Sequence, residues 1–154
     1  MARLALGLLV LLGACSNGSG PSQAAAPTSA APASAPAAPA RAAAAYYHAQ
    51  LRGPDAPCVH AQPCRVVVEL IADGDYHVNQ EYPFRFVPDA TPGVSFAAAR
   101  ELQHEGEKRG TLEVELTPAA AGPTTIAGTF KLSVCSEGAC QIERPRLGVT
   151  IRVD

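Results

Sequence analysis

Between Arg65 and Asp154 several runs alternate apolar and polar residues with a period of two, and this alternation is the strongest constraint on the fold. In RVVVELIA (65–72), Val66, Val68 and Leu70 share one face, with Arg65, Val67 and Glu69 on the other. TLEVELT (111–117) turns Leu112, Val114 and Leu116 inward and Glu113 and Glu115 outward. TFKLSVC (129–135) points Phe130, Leu132 and Val134 one way and Lys131, Ser133 and Cys135 the other. RLGVTIRV (146–153) repeats the pattern, and EYPFRFV (81–87) puts Tyr82, Phe84 and Phe86 opposite Arg85. Successive side chains of a strand point to opposite faces, so each run describes a half-buried strand. Turn formers separate the runs at Asp73-Gly74-Asp75, Thr91-Pro92-Gly93, Lys108-Arg109-Gly110 and Ala121-Gly122-Pro123. The segment 95–110 reads as a strand leading into a hairpin rather than a helix. The expected fold is all-β, an immunoglobulin-like β-sandwich over 46–154.

Ahead of the strands stand two segments of different character. Arg3 is followed by an apolar run from Leu4 to Leu12, too short to span a bilayer and of signal-peptide length. The run closes on Leu12-Gly13-Ala14-Cys15, which resembles the lipobox of bacterial lipoproteins. That resemblance implies removal of residues 1–14, diacylglycerol on the Cys15 sulfur and a lipid anchor in the membrane. Ser16 is not acidic, which points to the outer membrane, facing the periplasm. Residues 15–45 are an Ala/Pro/Ser tract with Arg41 as its one charge. Such a tract has almost nothing to bury, so a disordered linker is expected. From Leu51 onward ten Lys/Arg accompany fourteen Asp/Glu. This balance, with no basic stripe in the sequence, argues against nucleic acid as a partner.

Apart from Cys15 there are four cysteines: Cys58, Cys64, Cys135 and Cys140. An even number in an exported chain implies pairing, with three connectivities open. The local pairs 58/64 and 135/140 enclose short loops and would act as structural disulfides. His60 between Cys58 and Cys64 could make a third metal ligand, but an oxidising compartment works against reduced thiols. No metal or cofactor is expected.

The run Tyr76-His77-Val78-Asn79 through Tyr82-Pro83, then Phe130 to Cys135, Cys140 and a final strand, carries a family resemblance. It is similar to the disulfide bond corrector domain, the amino-terminal periplasmic domain of the thiol:disulfide interchange protein DsbD. The resemblance implies an immunoglobulin-like fold, Cys135 and Cys140 as a redox-active catalytic pair, and a periplasmic or membrane oxidoreductase as partner. Where that family has a proline-containing cap after the second cysteine, this chain reads Gln141-Ile142-Glu143. Glu137 and Glu143 flank the pair, and negative charge disfavours the thiolate that exchange requires.

His48, His60, His77 and His104 are scattered, with no metal-binding spacing. His77 reads as a turn residue whose functional role would need proximity to the cysteine loop. Glu101, Glu105, Glu107, Glu113 and Glu115 read as a solvated sheet face. The first expectation is therefore a lipid-anchored, non-catalytic binding or structural module for another envelope protein. The alternative is a thiol:disulfide exchange domain working through Cys135 and Cys140.

Overall fold

A computed structural model describes residues 41–154, apart from residue 99. The expected signal peptide, Cys15 and most of the expected linker lie outside the described residues. Eleven strands follow in order: β1 (Ala42–Ala44), β2 (Tyr47–Arg52), β3 (Cys64–Ala72), β4 (His77–Val78), β5 (Arg85–Pro88), β6 (Val94–Phe96), β7 (Gln103–Glu105), β8 (Arg109–Pro118), β9 (Gly122–Cys135), β10 (Cys140–Glu143) and β11 (Arg146–Val153). No helix forms among the described residues.

One sheet runs β1-β2-β3-β8-β6, with β7 also on β8. In the other, β9 is central, with β4 and β5 along one side and β10 and β11 along the other. Taken in chain order, β2, β3, β8 and β6 hold the places of A, B, E and D in an immunoglobulin sandwich. The pair β4/β5, then β9, then β10/β11 hold those of C, F and G. The expected immunoglobulin-like sandwich is the fold.

The inward positions are those the alternation assigns. Val66, Val68, Leu70, Leu112, Val114 and Leu116 from one sheet meet Phe86, Ile126, Phe130, Leu132, Val134 and Leu147 from the other, all fully buried. Each such side chain contributes roughly 1.5–3 kcal/mol when fully buried. The hairpin β7–β8 forms as expected, pairing Gln103 with Thr111 and Glu105 with Arg109.

Two boundaries differ from expectation. Ala42–Ala44, assigned to the linker, pair with Ala49, His48 and Tyr47, because alanines fit an edge strand with little to bury. The aromatic alternation of 81–87 is a strand only from Arg85 on. Tyr82 to Phe84 turns back on itself, with the Phe84 N–H donating to the Tyr82 carbonyl at 2.9 Å. A strand was also overlooked, in that Tyr47, Ala49 and Leu51 of β2 are buried while His48 and Arg52 are exposed.

At the sandwich edge, the Tyr46 hydroxyl donates to Glu143 Oε1 at 2.5 Å. This hydrogen bond, followed by desolvation and the Glu143 charge, pushes the Tyr46 pKa up to about 12. The folded chain thus holds the phenol proton more tightly than the unfolded chain. The contribution is complete below the unfolded tyrosine value of about 10 and is lost as pH rises towards the folded value. Denaturation midpoints should fall across that window for the wild type, and less steeply for Tyr46→Phe. Equal slopes would show that the bond has no role in stability.

Candidate functional site

The hairpin β9–β10–β11 sets the geometry of the site. Cys135 pairs with Cys140, Ser133 with Ile142 and Thr129 with Arg146, in one continuous register. Pro145 has no N–H to give the ladder, which is why the partner strand is divided into β10 and β11. Its carbonyl still accepts the Phe130 N–H at 2.9 Å, so Lys131 and Arg144 stand opposite each other. On the other side of β9, His77 pairs with Cys135 and Arg85 with Lys131. The Asn79 N–H donates to the Ser133 carbonyl at 3.1 Å, one step beyond β4.

Residues directly opposite each other share a face. The outer face of this sheet is thus a grid of rows across three strands. The first row is His77, Cys135 and Cys140, and the second is Asn79, Ser133 and Ile142, with Asn79 Nδ2 donating to Ser133 Oγ at 3.2 Å. The third is Arg85, Lys131 and Arg144. The fourth is Val87, Thr129 and Arg146, the last ion-paired to Asp89.

Both local cysteine pairs are disulfide-bonded, Cys58 to Cys64 and Cys135 to Cys140. The Cys58 and Cys64 sulfurs are therefore not available as metal ligands. His60 instead places Nδ1 at 3.0 Å from the Asp154 carbonyl. The shared face of Lys131, Ser133 and Cys135 is confirmed, but it does not leave all three exposed. Ser133 is 0% and Cys135 6% exposed, since both are short side chains in the middle column, flanked on either side by β4 and β10. Only Cys140 of that pair is exposed.

The remaining candidates are dispersed. His48 Nδ1 lies 2.5 Å from Asp73 Oδ2, and the His104 ring packs edge-on to Phe84 at 6.0 Å. His104 also lines a cleft of about 470 Å³ with Tyr82, Phe84, Arg100 and Leu102. Glu113 and Glu115 face Arg65 at 3.7 Å each, and Glu105 faces Arg109 at 3.8 Å. These are solvated pairs of the kind expected for that face, each worth little. His77 is the histidine brought beside a cysteine, directly across from Cys135.

Sequence reasoning missed the edge of this sheet. Along the Cys140–Glu143 strand, ladder bonds alternate between β9 and the outside. The bonds Ser136 N–H to Ala139 O (2.9 Å) and Phe130 N–H to Pro145 O fix the phase. Gln141 and Glu143 therefore bond inward, while the N–H and C=O groups of Cys140, Ile142 and Arg144 point outward. Among the described residues nothing pairs with them. Farther along the same edge, the end of β11 is covered: the Cys58 N–H donates to the Arg152 carbonyl and the Asp154 N–H to the Cys58 carbonyl. Cys58–Cys64 anchors that cover to the start of β3. Ile142, on the uncovered part, is 60% exposed.

No family model matches the chain, and no curated protein matches it. Among solved structures, the crystal structure of the yeast GGA1 GAE domain aligns with a TM-score of 0.41 at 10% identity, covering 72% of this chain and 97% of that one.

Proposed function

We propose that this chain is a lipid-anchored cell-envelope protein whose β-sandwich is a non-catalytic binding module, held at the outer membrane and displayed into the periplasm on its Ala/Pro tract. The observation that carries the binding role is the uncovered β10 edge. Natural sheets cover or blunt their edges, as this one does at the end of β11. An edge left open beside an exposed isoleucine is suited to β-strand addition by a partner. Lipobox and linker supply the anchoring half of the reading.

The test uses the full chain expressed in a diderm host. Wild type should fractionate with the outer membrane and Cys15→Ala with the soluble periplasm. Affinity capture from the envelope should retrieve the same partner with wild type and with folded Cys135→Ala/Cys140→Ala. Soluble wild type would refute the anchor, and partner loss in the folded double variant would refute the non-catalytic role.

A second reading, thiol:disulfide exchange, is favoured by one observation: Cys140, in the His77 row, is exposed. In that reaction a partner thiolate attacks Cys140 Sγ, the Sγ–Sγ bond breaks, and the electron pair leaves on Cys135 Sγ. The leaving sulfur is the buried one, and burial disfavours its thiolate. Exchange is accordingly placed second.

A further inference from the structure

The cations of the domain are divided unequally between its two sheets. Arg52, Arg65, Arg100 and Arg109 all pair with carboxylates of the β3–β8 sheet: Glu69, Glu105, Glu113 and Glu115. Arg146 and Arg152 pair with Asp89 and Asp154. Lys108 donates to the carbonyls of Gly74 and Tyr76. From Arg52 onward, and apart from Lys108 with its carbonyl partners, the cations left without a carboxylate among the described residues are Arg85, Lys131 and Arg144. They form a single row across the outer face, ending at the open edge.

We infer that the β10 edge takes an extended, acidic-apolar peptide segment of an envelope protein as an added strand. The inference rests on the binding-module reading and deepens it. An added strand would bond to the outward groups of Cys140, Ile142 and Arg144, a stretch of about five residues at roughly 3.3 Å each. Alternate side chains of that strand face the same way as Ile142 and Arg144. One would lie against Ile142 and is therefore apolar. The next, two residues along, would lie against Arg144 with Lys131 behind it and is therefore Asp or Glu. Charge complementarity thus selects the partner within a domain that is acidic elsewhere. Backbone pairing supplies affinity and the two side-chain positions supply specificity.

The probe is a labelled ten-residue peptide with Glu and Val two positions apart, flanked by threonines, titrated into the full chain at low salt by fluorescence anisotropy. A second peptide carries Lys in place of Glu. The Glu peptide should bind saturably, and the Lys peptide about fivefold more weakly or less. Arg144→Glu should reverse that preference. Ile142→Pro removes one outward N–H while leaving the β9 ladder whole, so it should abolish binding with the fold retained by circular dichroism. Equal binding of both peptides, or binding unchanged in Ile142→Pro, would overturn the assignment. So would no peptide binding with Arg144-dependent adsorption to phosphatidylglycerol vesicles, which would make the face a membrane contact. Self-association abolished by Ile142→Pro would overturn it too, making the edge an interface between two copies. If the captured envelope partner is retained by both folded variants, the edge assignment falls while the binding-module reading stands.

Discussion

Gly128→Ala is expected to be the most damaging single-methyl change in the domain, lowering stability by about 3 kcal/mol. A Cβ at Gly128 would lie 2.5 Å from the Val87 carbonyl oxygen, 2.6 Å from Phe86 Cζ and 2.8 Å from Pro88 Cα. Two of these neighbours are backbone atoms of β5, so the clash cannot be relieved by turning a side chain. The strand itself must move away from β9, taking Phe86 off Phe130 at the centre of the core. In a domain of this size the loss should appear as a fall of roughly 10–20 °C in the unfolding midpoint. Gly110→Ala provides the contrast. Its Cβ would meet Leu102 Cδ2 at 2.6 Å, the far end of a side chain that can turn away. Thermal unfolding of the two variants should separate them clearly. Equal midpoints would mean that β5 yields at no cost and is not part of the rigid sheet.

What was legible in the sequence depended on how far a side chain's neighbours lie from it along the chain. Leu112, Val114 and Leu116 declare their face locally, and the structure buries all three. Phe130, Leu132 and Val134 do the same. Tyr82 and Phe84 also alternate, yet they leave the ladder, because pairing with β9 resumes only at Arg85, four residues out of step with β4. Parity placed Cys135 with Lys131 and Ser133 correctly. Accessibility depends instead on the flanking columns, which come from β4 and β10. The row Arg85, Lys131 and Arg144 spans about sixty residues of chain. Half of it was within reach, since a hairpin closed at Cys135 and Cys140 sets Lys131 against Arg144. The other half needed the β5 register. The expectation of lipidation at Cys15 rests on its own motif alone, and that residue lies outside the described residues.

The second large effect concerns the hairpin disulfide, and it follows from topology. Cys135 and Cys140 stand opposite each other between two ladder-bonded pairs, Ser136 with Ala139 and Val134 with Gln141. If the bond were reduced, those pairs would still hold the two thiols face to face. A thiol pair kept together by the fold has a high effective concentration, which favours the disulfide. Burial of Cys135 acts in the same direction, by disfavouring the thiolate that reduction would leave there. The disulfide therefore serves as a staple on a hairpin whose register the ladder itself sets, with Ile142 and Arg144 presented along its edge. An exchange domain would need the opposite, a reduced form made comfortable by the fold. The two cases differ by about 100 mV, or about 4–5 kcal/mol for a two-electron couple.

The account is tested most directly by the reduction potential of Cys135–Cys140 in the full chain. Equilibration against dithiol buffers, with mass mapping to distinguish it from Cys58–Cys64, gives the value for this bond alone. A potential below about −300 mV is the predicted result, that of a structural staple under a binding edge. A potential near about −200 mV would contradict it and make the hairpin a site of thiol:disulfide exchange.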